Sequence, residues 1–189
     1  MARLVVSQFV SIDGVMEAPG GEPGYRHTGW VGRFDDAGQF DFKLEEVLAH
    51  DALLLGRTTY ESFAGAWPAR TGEFADKMNA MPKYVASTTL RDPHWHNTTV
   101  LDGDAMGAVI ALKAAAGGDI LVAGSRKLVN SLKQHDLVDE YRLMIFPIVL
   151  GSGMRLFNTA VDAHEFKLGG MRSFTNGIVL LTYERRVAI

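Results

Sequence analysis

Along the chain, short unbroken apolar runs alternate with stretches whose apolar positions recur every three or four residues. This is the pattern of strands buried on both faces, interleaved with amphipathic helices. Residues 3–10 are β-branched and apolar and end in the turn chemistry of Ser11, Ile12, Asp13 and Gly14. From there to about 33, glycine and proline crowd in with Tyr25, His27 and Trp30, which predicts a long functional loop, a lid carrying aromatic rings. Phe40, Leu44, Val47 and Leu48 fall at i, i+4, i+7 and i+8, after Asp35 and Asp36 where a helix start favours negative charge, so a helix is expected over 36–49. The run 52–55 closes at Gly56, and a short helix begins at Arg57.

The same reading predicts a helix over 73–81, strands at 83–87 and 98–101, and a helix from an Asp104 cap to 116. Its Val109, Leu112 and Lys113 share one side. A strand over 119–123 follows, then a helix to about 135 with Leu128, Val129 and Leu132 inward. The order strand, glycine turn, helix thus occurs at Gly56 and again at Gly124. The remainder is β-rich, with a strand over 140–149 and two near 166–174 and 178–185 that flank Asn176 and Gly177, a hairpin turn signal. The expected class is α/β, with a mixed, mainly parallel sheet covered on both faces and finished by an antiparallel C-terminal hairpin. No repeat or linker divides the chain, so 1–189 reads as one domain.

Composition narrows the function. With 47% hydrophobic and 22% charged residues, 189 residues suffice to bury one sizeable core. A formal net charge of -3 gives no chain-wide reason to bind nucleic acid. The absence of cysteine excludes disulfides, thiol nucleophiles and thiolate metal sites, and suits a reducing cytoplasm. The first apolar run is too short and polar for a secretion signal, and no stretch reaches the roughly 18 apolar residues of a membrane helix. His94 and His96 would share a strand face, but no third ligand accompanies them, so no metal is expected. Neither a P-loop nor a GxGxxG fingerprint occurs, and Gly151-Ser152-Gly153 lacks the rest of a nucleophile elbow.

Ligands of open α/β sheets bind beyond the carboxyl ends of the strands, where loops into helices present free N–H groups. Four loops occupy that position: 11–14, 56–59, 87–89 and 124–127. Gly56 and Gly124 let a phosphate approach the backbone, Thr58, Ser87, Thr88 and Ser125 offer hydroxyls, and Arg57 and Lys127 add positive charge. Any one of them reads better as a helix cap; the four together bring a phosphate-bearing ligand level with that reading. Asp13 reads either as a substrate-orienting carboxylate or as the Asp of an Asp-Gly turn.

The string LLGRTTYESF at 54–63 resembles the dihydrofolate reductase family, whose strand, Gly-Arg-x-Thr turn and helix hold the NADPH phosphates. SIDG at 11–14, the segments 84–90 and 120–128, and FPIVLGSG at 146–153 with Leu156 and Phe157 are similar to one branch of it. That branch contains the reductase domain of the bifunctional riboflavin-biosynthesis deaminase-reductase. The likeness runs nearly end to end. It implies a dihydrofolate reductase-like three-layer sandwich with a sheet of eight or nine strands, and NADPH lying across the strand ends. The implied reaction is hydride transfer to a small heteroaromatic or imine-type substrate, pterin- or pyrimidine-like. The alternative is a nucleotide-binding or sensory module that holds NADPH without turnover.

The resemblance also implies residue roles. Gly14, Gly56, Arg57, Thr58, Thr59, Ser87, Thr88, Thr89, Gly124, Ser125, Lys127 and Leu128 would bind the cofactor, with Arg57 on the 2′-phosphate. Ser11, Trp30, Phe40 and Pro147 would surround the substrate, with Asp13 and Asp36 as catalytic polar groups. A homodimer formed through the β-rich C-terminal half is implied as well. Ser87-Thr88-Thr89 stands where relatives often read Ser-Arg-Thr, which keeps NADH beside NADPH. Phe40 occupies the position, counted back from Gly56, where true dihydrofolate reductases carry a carboxylate, so dihydrofolate is not the expected substrate. With no Cys and no His-x-Glu motif the deaminase half is missing, and any activity would be reduction alone.

Overall fold

The computed structural model describes residues 1–34, 36–157 and 163–186; Asp35 lies outside them. Its elements follow in the order β1 (Leu4–Ser11), α1 (Ala37–Leu48), β2 (Ala52–Gly56), α2 (Arg57–Ala66), α3 (Glu73–Ala80), β3 (Lys83–Ala86) and β4 (Thr98–Leu101). The second half adds α4 (Ala105–Ala115), β5 (Ile120–Ala123), α5 (Arg126–Gln134), β6 (Glu140–Phe146), β7 (Phe166–Ser173) and β8 (Val179–Arg185).

One eight-stranded sheet has the order β4-β3-β2-β5-β1-β6-β8-β7. Pairing is parallel from β4 through to β6, and β8 runs antiparallel to both β6 and β7. The chain steps from β1 outward to β4 and then returns to β5 and β6. Because parallel crossovers are right-handed, the outward and the returning steps leave their helices on opposite faces. The core divides accordingly. Val5, Leu53, Leu55, Val85 and Leu121 pack with Val47 of α1, Tyr60 and Ala64 of α2 and Met78 of α3. Leu4, Val6, Leu54, Ile120 and Val122 pack with Val109 of α4 and Val129 and Leu132 of α5. Neighbouring residues of one strand thus serve opposite layers, which is why β2 and β5 read as continuous apolar runs.

A third cluster sits where β6 and β8 leave the helical layers. Trp30, Phe146, Phe174 and Ile178 are buried there with Val15 and Leu180. Trp30 was expected in a lid over the ligand, but it is 0% exposed. Its ring meets Phe146 edge-on at 5.1 Å and its Nε1 donates to the Glu17 carbonyl at 2.9 Å. The backbone N–H groups of Gly29 and Val31 donate to Ala18 and Pro19, and the Tyr25 hydroxyl donates to the Ser152 carbonyl at 2.6 Å. The aromatic-rich loop is therefore tied down as a wall, with Trp30 as its anchor rather than its ligand contact.

Helix α1 lies where its periodicity predicts, but its inward stripe is rotated. Glu46, Val47 and His50 are buried, with Gln39, Phe42 and Lys43 half-buried on the same side, whereas Phe40 and Leu48 are 57% and 41% exposed. The stripe that faces the sheet is therefore charged. At the start of β3, Lys83 is fully buried and its Nζ donates to the carbonyls of Asn79, Met81 and His96 at 2.6, 2.9 and 3.0 Å. It also lies 4.4 Å from the centre of the Trp95 ring, a cation held by dipoles and a π face.

Candidate functional site

Since β1 is followed by a helix on one face and its neighbour β5 by a helix on the other, a crevice opens between their carboxyl ends. This is a topological switch point, the position at which open α/β sheets take ligands. Gln8 of β1 spans it, donating from Nε2 to the Gly124 carbonyl at 2.6 Å. A cleft of about 1040 Å³ runs from this crevice across the ends of β2 and β3.

The cofactor-side loops are bonded to each other. Gly56 N donates to Ser125 Oγ at 2.8 Å, and Ser125 N donates to Thr59 Oγ1 at 2.9 Å. Arg57 reaches the third loop, donating to Thr89 Oγ1 at 2.8 Å, while Ser87 Oγ accepts from the N–H groups of Thr89 and Leu90. Gly124 stands at φ 55°, and a Cβ there would lie 2.8 Å from Thr59 Oγ1, so the close seam of the two loops requires glycine. Gly56, Arg57, Thr58, Thr59, Ser87, Thr88, Thr89, Gly124, Ser125, Lys127 and Leu128 all line this one cleft.

Helices α2 and α5 both begin at this seam, at Gly56 and Ser125, and neither has a side-chain cap bond or an acidic residue in its first turn. Their first positions hold cations instead: Arg57, whose Nε pairs with Glu61 one turn on at 3.3 Å, opens α2, and Arg126 and Lys127 open α5. A cation is unfavourable at the positive end of a helix dipole unless an anion joins it. Two unclosed helix N-termini and three cations around one seam therefore make an electropositive cradle suited to a multiply charged phosphate ligand.

The other end of the cleft is lined by Phe9, Phe34, Gln39, Phe40 and Lys43, with Glu17 from the tethered loop. The Lys43 ammonium donates to Ser7 Oγ at 2.9 Å and is bonded to Glu46. Burial alone would push the Glu46 carboxyl up, but Lys43 and Arg142 beside it hold it below the usual carboxylate range. The other Glu46 oxygen accepts from Arg142 at 3.3 Å. Gln8, Lys43 and Glu46 were not foreseen from the sequence. The signal that could have revealed the last two is a pair of opposite charges on the inward side of a helix.

Five expected site residues stand apart from this cleft. Asp13 closes a turn: it accepts from Ser11 Oγ at 2.7 Å and from the N–H groups of Leu150 and Gly151 at 3.1 and 3.0 Å. Burial favours its protonated form, but these donors outweigh it and keep the carboxyl below its ordinary value. Ser11 is buried within the same turn and accepts from Val15 N. Gly14, at φ 80°, completes that turn and its carbonyl accepts from Leu156 N. Pro147 is exposed beside Gly177, and Trp30 is core. Asp36 and Phe40 do line the cleft. Asp36, however, spends its oxygens capping α1 through Gln39 N and binding the Thr175 N–H and hydroxyl. The Thr175 hydroxyl holds the Asp36 carboxyl low, so it is a fixed acceptor and not a proton donor near neutral pH.

Among the described residues no group of three or more His, Asp or Glu could hold a metal ion, and no helix is long and apolar enough to cross a membrane. The model of the RibD C-terminal domain family matches residues 2–180. Two proteins of Bacillus subtilis (strain 168), the uncharacterized proteins YyaP and YwjB, are each 28% identical to the chain, which covers 94% and 95% of them. They match 96% and 94% of the chain. Among solved structures, a Shewanella sp. PV-4 protein described as a candidate riboflavin biosynthesis protein superposes with a TM-score of 0.76 at 22% identity, covering 99% of this chain and 100% of that one. A pyrimidine reductase-like protein of Corynebacterium diphtheriae gives 0.70 at 14% identity, with 99% and 93% covered. Dihydrofolate reductase of Enterococcus faecalis, complexed with NADP(H), gives 0.66 at 14% identity, with 98% and 97% covered. The fold is the dihydrofolate reductase fold.

Proposed function

We propose, for a chain that belongs to the RibD C-terminal domain family, the function of an NADPH-dependent reductase acting on a small heteroaromatic or imine-type substrate. The observation that carries this reading is the seam of Gly56 and Ser125, where two helix N-termini without side-chain caps meet under Arg57, Arg126 and Lys127. A dinucleotide fits this chemistry. Its pyrophosphate suits the N–H groups of α2 and α5, and a 2′-phosphate suits the half-exposed Arg57 guanidinium beside Thr89. When bound, the reduced nicotinamide supplies a hydride.

The chain's own residues position, shield and polarise. Gln8 and the Gly124 backbone form the floor of the crevice, and Phe9, Phe34 and Phe40 offer apolar surface to a flat ring. The wall anchored by Trp30 narrows solvent access at that end. Leu168 and Met171 of β7, the outermost strand, are 50% and 72% exposed, which suits pairing of two copies through this half of the sheet. The test is NADPH oxidation with a panel of pterins, pyrimidines and neutral cyclic imines. Turnover of at least one compound is expected; NADPH binding without turnover of any would favour a module that only holds the nucleotide.

A further inference from the structure

We infer that Gln8 orients the nicotinamide ring of the dinucleotide, its side-chain carbonyl oxygen accepting a hydrogen bond from the NH2 of the ring's carboxamide. The inference rests on the function proposed above. Parallel pairing of β1 with β5 ends at Ser7 and Ala123, so Gln8 and Gly124 are the first residues past the point where the two strands part. Gln8 is 3% exposed, yet it lines the cleft.

The two ends of this amide differ in chemistry. A backbone carbonyl only accepts, so the end that lies 2.6 Å from the Gly124 oxygen is the NH2. Oε1 is thereby turned away from Gly124. It has no hydrogen-bond partner among the described residues, and it is not closed off from solvent. A side chain that only tied β1 to β5 would use its NH2 and nothing more. The remaining oxygen, on a residue with so little access to water, is poorly solvated until a donor arrives, and a ligand that brings an N–H supplies one.

Sheet order and strand alternation say which part of the dinucleotide this is. The ends of β2 and β3, which carry Arg57 and Thr89, lie on one side of β5, and β1 lies on the other. With the 2′-phosphate at Arg57 and the pyrophosphate at the N-terminus of α5, the nicotinamide is the part directed to β1. Alternation along β1 then sets Gln8 apart from the substrate end. Val6 and Val10 pack with Leu128 and Val129 of α5, and Gln8 shares their face, whereas Ser7 and Phe9 face Lys43 on α1. Other acceptors of the cleft are unsuited. Gln39 Oε1 is enclosed, and Asp36 is taken by the α1 cap and Thr175.

A nicotinamide can turn about its glycosidic bond and offer either face. With its carboxamide held on the Gln8 side of the crevice, one face is left toward Phe9 and Lys43, where the flat substrate would lie. Gln8 moves no proton and no electrons; it fixes the rotation of the ring.

Titration of the whole chain with NADP+ and with its acetylpyridine analogue, in which a methyl group replaces the carboxamide NH2, tests this by binding alone. The wild type is expected to bind NADP+ about five-fold or more tightly than the analogue, and Gln8→Met and Gln8→Lys to bind the two within about twofold of each other. The second variant keeps a donor for the Gly124 carbonyl but has no acceptor, so it removes the inferred contact and leaves the tie. If Gln8 is only a tie, Gln8→Met weakens both ligands by the same factor and the preference for NADP+ persists. Such persistence in either folded variant overturns the inference. Equal affinities in the wild type overturn it too, with no variant required. In both cases NADP+ still binds and the reductase reading stands. A wild type that binds neither dinucleotide overturns that reading, and this inference with it.

Discussion

At Gly124 a single missing Cβ lets two loops close on each other: the backbone sits at φ 55° with Thr59 Oγ1 2.8 Å from where a methyl would stand. Gly124→Ala is expected to cost about 1–2 kcal/mol from the left-handed backbone alone, before the collision with Thr59. A thermal melt should show a fall of roughly 2–8 °C for a chain of this size. An unchanged melt would mean that the seam is loose. Legibility at this scale followed chemistry. Gly56, Arg57, Thr58, Ser125 and Lys127 stood out because glycine, hydroxyl and cation recur together at several strand ends, whereas any one of them alone reads as part of a helix cap. Asp13, Ser11 and Gly14 carried the same kind of signal, but they close a turn onto Leu150 and Gly151, more than a hundred residues away in the chain. No local pattern distinguishes a carboxylate awaiting a ligand from one awaiting a distant N–H.

Helix α1 shows where element-level reading fails. Its limits were legible from Asp36 and the apolar spacing, yet Phe40 and Leu48 face outward and Glu46 and His50 inward. Periodicity assigns a helix its buried stripe on the premise that the stripe is apolar, and here the sheet meets it with Ser7 and Arg142 instead. The loop of 12–33 fails for a related reason: an aromatic residue in a loop serves a ligand or a core equally well, and Trp30 serves the core. The join of α3 to β3 yields a pH prediction. Burial pushes the Lys83 ammonium from 10.5 down to about 8, so between those values the unfolded chain holds a proton that the folded chain has released. Unfolding free energy must then rise with pH across that window. Urea denaturation at about pH 7 and about pH 10 should show the stability of wild type relative to Lys83→Met increasing; a relative stability that falls over that interval would contradict the lowered pKa of Lys83.

For the whole molecule, the order of runs and turns was enough to read an α/β sheet with an antiparallel finish, because strands buried on both faces and the Asn176-Gly177 turn are local signals. Strand order was not local: placing β5 between β2 and β1 depends on crossover hand and on which faces need covering. That placement makes the crevice at Gln8 and Gly124, and with it the one cleft shared by Thr58, Ser87 and Ser125. Under the proposed function this cleft grips a phosphate-bearing dinucleotide through the N-termini of α2 and α5. A fluorescence titration of NADPH and NADH into the wild type and Arg57→Ala tests it most directly. NADPH is expected to bind about ten-fold or more tightly than NADH, and to lose that margin, worth about 1.4 kcal/mol, when Arg57 is removed. Equal affinities for both dinucleotides, unmoved by Arg57→Ala, would contradict it.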